Sequence, residues 1–193
     1  MTIQKRILLI VTVLAAGWVA LNLNYFSKNV QYYVAPDTVA QNSESSSAEK
    51  MEPNLLFIDS LGIRAPINYV DQADEDVFQE SLQTGVVHYP GTAKLGENGN
   101  AYIFGHSSDN AWAKGDYKTV FALLPQVEIG QEIITSDDQG NKYVYVVRET
   151  KVISPDDVSV LSQGNKDKKL LTVQTSYPVG TALKRFVVIA ELK

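Results

Sequence analysis

The chain begins with one long apolar segment. Lys5 and Arg6 precede "ILLIVTVLAAGWVALNLNYF", which covers residues 7–26 and carries no charge. At ~1.5 Å per residue, an α-helix of this length spans the ~30 Å hydrocarbon core of a bilayer. The basic residues on its N-terminal side predict that residues 1–6 are cytoplasmic and that the chain after the helix is extracellular. The pattern predicts a single-pass anchor in the cell membrane.

The same segment has a second interpretation as a cleaved signal peptide. Its small residues "AAG" (15–17) offer a cleavage point. The uncharged run is longer than an ordinary signal-peptide core, which favours a retained anchor. Under both interpretations the remainder of the chain is exported.

Polar residues follow the apolar segment. Residues 27–53 include "APDTVAQNSESSSAEKMEP", which is rich in Ser, Ala and acids and has no sustained apolar period. This composition is typical of a flexible linker. From residue 54 onward the composition is that of a folded domain, so we predict one globular domain over residues 54–193.

Short apolar runs separated by turn residues recur through this domain. Helical spacing predicts short helices over residues 74–85, 117–124 and 154–162. Alternating or continuous apolar runs predict strands over residues 55–58, 63–70, 101–106, 131–136, 142–153, 168–176 and 185–192. Short strands in this number, with only small helices, predict a mainly β fold: a closed or nearly closed β-barrel of seven to eight strands.

The composition argues against several kinds of function. A formal net charge of −5 argues against a nucleic-acid binder, which should present a basic face. The absence of cysteine excludes disulfides, cysteine-based zinc sites and a thiol nucleophile. Because the chain has only two histidines, a His-rich metal site is not expected.

Three residues with chemical potential stand at or just past the ends of predicted strands. They are His106, Ser176 and Arg185. Each has an ordinary structural explanation when taken alone: a hydrogen-bonded histidine, a turn serine before Tyr-Pro, and a solvated charge at a strand edge. Only their sequence context favours a shared site.

Two well-separated motifs carry that context. "HYPGTAKLGENGNAYIFGHSS" (88–108) and "LTVQTSYPVGTALKRFVV" (171–188) together resemble the sortase family. In sortases one strand ends in Gly-His, a later strand carries Thr-Leu-x-Thr-Cys, and the next strand carries an Arg. Residues 172–176, Thr-Val-Gln-Thr-Ser, stand at the second motif. The resemblance covers about residues 54–193 and includes the anchor and linker.

The resemblance implies a transpeptidase and assigns roles to residues of this chain. A sortase cleaves the Thr–Gly amide of a Leu-Pro-x-Thr-Gly-like sorting signal and transfers the acyl group to an amine of peptidoglycan or a pilin. By resemblance, His106 is the general acid and base, Arg185 holds the substrate or the developing oxyanion, and Ser176 occupies the place of the nucleophile. Thr175 belongs to the motif, and His88 in "VVHYPGT" is expected to shape a wall of the substrate site.

The serine at the nucleophile position is a departure from the family. A cysteine has a pKa of ~8.5 and is readily held as a thiolate beside an imidazolium. A serine hydroxyl needs a base at the moment of attack, usually a histidine oriented by a carboxylate. Asp109 is close to His106 in sequence, but sequence adjacency does not fix the orientation of the imidazole. We therefore expect the chain to be inactive or severely slowed as a transpeptidase.

Several alternatives remain open from the sequence. Ser176 is either an engineered replacement of cysteine or a natural residue of a pseudoenzyme or serine variant. A non-catalytic module that binds a sorting peptide is the second functional hypothesis. A plain exported barrel with a structural role is the third, and it leaves the His and Arg motifs unexplained.

No cofactor is predicted, with calcium as the alternative. Some sortases bind calcium near the early helix and a late loop. Asp71, Asp74, Glu75 and Asp76 form an acidic cluster in the corresponding region, and oxygen ligands suit calcium. A first helical turn stabilised by the helix dipole explains the same acids without a metal.

Overall fold

The computed structural model describes residues 3–21, 27, 30, 33, 34, 50–109, 114–164 and 166–193. Its eight strands are β1 (Leu55–Ile58), β2 (Ile63–Tyr69), β3 (Val86–His88), β4 (Gly99–Phe104), β5 (Glu132–Ser136), β6 (Lys142–Ile153), β7 (Lys169–Tyr177) and β8 (Lys184–Leu192). The helices are α1 (Ile3–Leu21), α2 (Glu75–Ser81) and the 3-10 helices Asp59–Leu61, Leu124–Gln126 and Val158–Leu161.

The strands form a closed barrel in the order β1-β2-β3-β4-β7-β8-β6-β5. The barrel closes because β5 pairs with β1 as well as with β6. The pairs β2–β3 and β4–β7 are parallel, and the others are antiparallel. The predicted mainly β, closed-barrel fold is confirmed.

Most predicted elements coincide with observed ones, and the differences lie in the shortest segments. The strands predicted at 55–58 and 142–153 have the observed bounds. Strand β3 was not predicted because three residues are too few to show a period. The predicted helix at 117–124 consists of turns that lead into the 3-10 helix Leu124–Gln126.

Helix α2 is shorter than the predicted 74–85. It begins after Asp74, whose carboxylate accepts hydrogen bonds from the N–H groups of Asp76 and Val77. Residues 82–84 form turns, and Gly85 lies so close to β2 that a Cβ there would be 2.3 Å from the carbonyl oxygen of Pro66. This close approach of the backbone separates α2 from β3 and requires glycine.

The N-terminal apolar segment forms helix α1. Residues Ile3–Ala20 have a mean hydropathy of 1.6, so this helix is long and apolar enough to cross a membrane. A signal sequence has the same properties. The predicted end of the anchor at residues 22–26 and most of the predicted linker lie outside the described residues.

Strand β4 is apolar on both of its faces. Ala101 and Ile103 point into the main core of the barrel. Tyr102 and Phe104 belong to a second apolar cluster on the outer face, together with Val160 and Val187. An outer face that is apolar needs a cover, and the groove above it is where the candidate site lies.

Candidate active site

Strands β7 and β8 place Ser176 directly beside Arg185. The two residues are partners in the antiparallel register, one position before the ladder ends at Tyr177 and Lys184. Opposite residues of an antiparallel pair have Cβ atoms about 4.5–5.5 Å apart on the same face of the sheet. The backbone ladder therefore fixes the proximity of these two side chains.

Strands β4 and β7 bring His106 to the same end of the barrel. They run parallel, and Phe104 is the register partner of Gln174. His106 lies two residues beyond Phe104, and Ser176 lies two residues beyond Gln174. The chain leaving β4 stays against β7 because the N–H of Gly105 donates to the Gln174 carbonyl at 3.2 Å. His106 and Ser176 therefore lie two residues beyond a pair of register partners, at the same end of two parallel strands.

The three predicted catalytic residues line one cleft. Its volume is about 390 Å³, and His106, Thr175, Ser176 and Arg185 are on its walls. Thr175 is 2% exposed, and its hydroxyl donates a 2.8 Å hydrogen bond to the carbonyl oxygen of Gly105. The structure therefore brings these four residues together, with Thr175 bonded to the backbone rather than open to the cleft.

A carboxylate lies beside His106. It is the carboxylate of Asp109, whose Oδ2 is 4.0 Å from His106 Nε2. The side chain of Asp109 is 25% exposed and that of His106 is 21% exposed. Burial lowers the pKa of His106 below its ordinary value, and the nearby Asp109 partly opposes that shift. The imidazole is accordingly neutral at neutral pH and is able to accept a proton.

Arg185 is anchored by one of its nitrogen atoms. Nη1 donates to the carbonyl oxygens of Ala182 and Lys184, both at 3.1 Å. Across the described part of the chain these are its only hydrogen bonds, which leaves Nε and Nη2 for a ligand in the cleft. A guanidinium held in this way presents a fixed array of donors at the cleft wall.

The rest of the cleft is aromatic and apolar. Phe78 of α2 packs against Phe104 and Tyr89, with ring centroids 5.0 and 5.7 Å apart. The hydroxyl of Tyr102 hydrogen-bonds to Gln174 Oε1 on the cleft floor. Val158, Val160 and Leu161 of the last 3-10 helix form the facing wall.

Sequence reasoning assigned no role to these cleft residues. The signal was present in β4, where Tyr102 and Phe104 alternate with the core-facing Ala101 and Ile103. A strand that is apolar on both faces is covered on both faces, or binds something apolar. Phe78 and Leu161 could not be found in this way, because they reach the cleft through the fold and not through strand pairing.

His88 lies elsewhere. It is 4% exposed, and its Nε2 is 2.8 Å from the carbonyl oxygen of Ala93. Its ring packs against that of Tyr69 at a centroid distance of 4.8 Å. It lines a second cleft of about 690 Å³, with Tyr69 and Tyr143, and the structure does not bring it together with the other predicted site residues.

One acid of the cluster at the start of α2 has a structural role. Asp74 Oδ1 accepts hydrogen bonds from the N–H groups of Asp76 and Val77, at 3.0 and 3.2 Å. Across the described residues, no group of three or more His, Asp and Glu side chains is arranged to hold a metal ion. Asp74 therefore caps the N-terminus of α2.

The sequence of this chain is similar to those of known proteins. A family model for the sortase domain matches residues 56–193. Sortase D of Bacillus subtilis (strain 168) is 29% identical over 154 residues, which are 77% of this chain and 68% of that protein. The residues matched by the family model include all of those that line the cleft.

Solved structures share the fold. The Clostridium perfringens sortase D5 transpeptidase matches with a TM-score of 0.59 and 23% identity, over 90% of this chain and 99% of that one. Sortase C of the same organism, solved with its C-terminal cell wall sorting motif, matches with a TM-score of 0.60 and 21% identity, over 92% and 90%. Because the sortase family model matches residues 56–193, which are well over half of the chain, this chain belongs to the sortase family.

Proposed function

We propose that this protein is a transpeptidase that cleaves a Leu-Pro-x-Thr-Gly-like sorting signal of surface proteins. The acyl group is transferred to an amine of peptidoglycan or a pilin. Because Ser176 stands where sortases have cysteine, we propose that the reaction is much slower than that of a cysteine enzyme. The carrying observation is that Ser176 and Arg185 are register partners in one ladder and share a cleft with His106.

The layout of the cleft supports an acyl transfer. Ser176 supplies the attacking oxygen, and Arg185 has free donors for the negative charge that develops on the carbonyl oxygen. His106 accepts the serine proton and delivers it to the leaving amine. In the second half of the reaction the imidazole takes a proton from the incoming amine.

The aromatic wall supports recognition of an apolar peptide. Phe78, Tyr89 and Phe104 form a surface of ring faces and edges next to the catalytic residues. Val158 is 68% exposed on the opposite wall. An extended Leu-Pro segment between the two walls would bury apolar area on both sides, worth about 25 cal/mol per Å².

We propose residues 7–26 as a membrane anchor that keeps the barrel on the outer side of the cell membrane. Helix α1 has the length and hydropathy for this role. Lys5 and Arg6 favour an N-terminus inside the cell. The proposed substrates, a sorting signal and a surface amine, are found on that outer side.

We propose that the reaction needs no cofactor. His106 provides the proton transfer and Arg185 provides the positive charge, so the chemistry is complete without a metal. Activity is expected to be the same in EDTA and in millimolar calcium. A calcium-dependent gain would instead direct attention to Asp71 and the acids of α2.

The direct test is the Ser176→Cys variant. The variant is incubated with a Leu-Pro-x-Thr-Gly peptide and an amine acceptor, and acyl-enzyme and product are followed by mass spectrometry. We expect transfer faster than in the unchanged chain by about 10²-fold or more, because a thiolate attacks without a base in the transition state. If the folded variant cleaves none of a panel of sorting signals, the proposal is wrong.

Ser176 also supports a second candidate, a module that binds the peptide without acylation. The cleft walls would be the same, and Arg185 would hold the peptide backbone. This candidate predicts peptide binding that is weakened by Arg185→Ala, with no acyl-enzyme detectable by intact mass. Absence of binding across the same peptide panel would exclude it.

A further inference from the structure

We propose that Asp109, His106 and Ser176 form a serine nucleophile site, in which the Asp109 carboxylate orients the imidazole that activates the Ser176 hydroxyl. The inference rests on the proposed function for its peptide substrate. It makes the chain a slow serine acyltransferase in place of an inert barrel. Asp109 acts through His106, so it is a positioning residue.

The segment from His106 to Asp109 is held in place at His106 and at Ser108. The carbonyl oxygen of His106 accepts a 2.9 Å hydrogen bond from the N–H of Phe121. Ser108 Oγ accepts a 2.9 Å hydrogen bond from the N–H of Gly180, in the connection between β7 and β8. These contacts fix the segment relative to the strand that bears Ser176.

The carboxylate of Asp109 is close to the imidazole of His106, but the two groups do not form a hydrogen bond in the free protein. Asp109 Oδ2 and His106 Nε2 are 4.0 Å apart, whereas a charge-assisted hydrogen bond is about 2.7–2.9 Å. Catalytic hydrogen bonds are often long in the free enzyme and shorten when the substrate excludes water. A movement of about 1 Å by side chains that are both partly exposed closes the gap.

The carboxylate determines which imidazole nitrogen carries the proton. Because Asp109 Oδ2 lies on the Nε2 side of the ring, the proposed carboxylate–imidazole hydrogen bond places the proton on Nε2 and leaves the lone pair of Nδ1 to accept the Ser176 proton. Burial keeps the ring neutral, which suits a serine because the hydroxyl needs an unprotonated base. A thiolate–imidazolium pair would require the opposite charge state.

The residues that line the cleft include charged groups from three elements. They are Glu75 of α2, Asp157 before the last 3-10 helix, and Arg185 of β8. Asp157 is already bonded to the N–H of Ser159. Asp109 is the charged group that opposes the effect of burial on the pKa of His106. Replacing Asp109 with a neutral residue should therefore lower the pKa of His106 further.

The proposed steps are balanced. Ser176 Oγ bonds to the scissile carbonyl carbon while its proton passes to His106 Nδ1, and the carbonyl oxygen becomes an oxyanion beside Arg185. The C–N bond breaks, and the leaving amine takes the proton from Nδ1, which leaves an ester on Ser176. An acceptor amine attacks the ester and gives its proton to Nδ1. The C–Oγ bond then breaks, and Oγ recovers the proton.

The first experiment combines the acid and the nucleophile. The full chain, Asp109→Asn, Ser176→Cys and the double variant are compared by kcat/KM for peptide and amine. We expect Asp109→Asn to lower the rate of the serine form by about 10²-fold or more. In the Ser176→Cys background the same change should have an effect below about threefold, because a thiolate does not need the carboxylate. Asp116→Asn, an exposed acid further along the same connection, is the matched control.

The second experiment needs no sorting peptide. A fluorophosphonate probe, which labels activated serines, is incubated with the full chain, and the modified residue is located by mass spectrometry. We expect labelling at Ser176 that is lost in Ser176→Ala and is about tenfold slower or more in Asp109→Asn. NMR titration of the imidazole in Asp109→Asn should show a pKa for His106 below that in the unchanged chain.

The outcomes separate this inference from the proposed function. If Ser176→Cys cleaves the peptide but Ser176 is not labelled, or is labelled equally in Asp109→Asn, the inference is overturned and the proposed function stands. If Ser176 is labelled in an Asp109-dependent way but neither nucleophile cleaves any peptide, the serine site stands and the proposed substrate is wrong.

Discussion

The hydroxyl of Thr175 donates a 2.8 Å hydrogen bond to the carbonyl oxygen of Gly105. It therefore joins the residue before the nucleophile position to the residue before His106. Gly105 has no space for a side chain, since a Cβ there would be 2.9 Å from atoms of Phe121 and Val86. One buried hydrogen bond and one close-packed glycine thus set the spacing between two strands that each carry a reactive side chain.

Replacement of Thr175 by valine should loosen the contact between β7 and the end of β4, which the backbone ladder keeps paired. The shape is kept, but the Gly105 carbonyl loses its partner in a buried position. We expect a loss of about 1–3 kcal/mol in the free energy of unfolding. We also expect acyl transfer to fall by about tenfold or more, because His106 is held less firmly against β7. Urea titration and kcat/KM, both in the Ser176→Cys background, measure the two effects.

Thr172→Val provides the matched control for this change. Thr172 is also buried on β7, and its hydroxyl donates a 2.8 Å hydrogen bond to Asn100 Oδ1, outside the cleft lining. It should cost similar stability and leave kcat/KM nearly unchanged. Equal losses of activity in both variants would show that the Thr175 bond has no special effect on the site.

Arg185→Lys should reduce acyl transfer although it keeps the positive charge. Lysine lacks the planar fork of donors that holds Nη1 on the loop while other nitrogens face the cleft. Loss of an oxyanion donor of this kind costs about 10²-fold in kcat. Arg64→Lys, at an exposed ion pair with Glu52, is the control and should have no effect. Full activity of Arg185→Lys would show that Arg185 contributes only its positive charge and not its array of hydrogen-bond donors.

Phe78→Ala should weaken substrate binding more than it slows the chemical steps. Phe78 forms part of the cleft wall but does not belong to the reacting set. Its removal takes away an apolar contact that is the same in the ground state and the transition state, so KM rises by about tenfold with kcat nearly constant. The neighbouring Val77→Ala, at a residue 37% exposed and off the cleft lining, should change neither constant. A drop in kcat alone would contradict this role.

Acid should destabilise the barrel through its buried histidine. Burial lowers the pKa of His88, partly opposed by the hydrogen bond to Ala93. With the folded pKa below the unfolded value of about 6.5, the unfolded state binds more protons as the pH falls. The free energy of unfolding should therefore decrease from pH 6.5 downward until the folded pKa is passed.

The variant His88→Gln isolates this contribution. Glutamine keeps a donor for the Ala93 carbonyl but does not titrate, so the acid side of the stability curve should be flatter than in the unchanged chain. Urea titrations at several pH values give the difference. Carboxylates titrate alike in both proteins and cancel. Parallel curves for the two proteins would show that His88 does not titrate differently on folding.

The sequence predicted the strands well where they are long enough to show a period. Strand β6, with twelve residues and a clear turn before it, has its predicted bounds, whereas the three residues of β3 carried no signal. A closed or nearly closed barrel was predicted from the number of strands, but the parallel pairing of β4 with β7 was not, since pairing depends on contacts far apart in sequence. That pairing is what aligns His106 with Ser176.

The sequence by itself determined which reactive groups are available: two histidines, no thiol, and a serine at the end of an apolar strand. It also determined the class of fold, because local periodicity requires only neighbouring residues. The tertiary structure alone decided that Ser176 faces Arg185, that His88 lies in another cleft, and that Asp109 approaches His106. The physical reason is that the direction of a side chain is set by strand register and loop anchoring, and both depend on hydrogen bonds between residues that are distant in the chain.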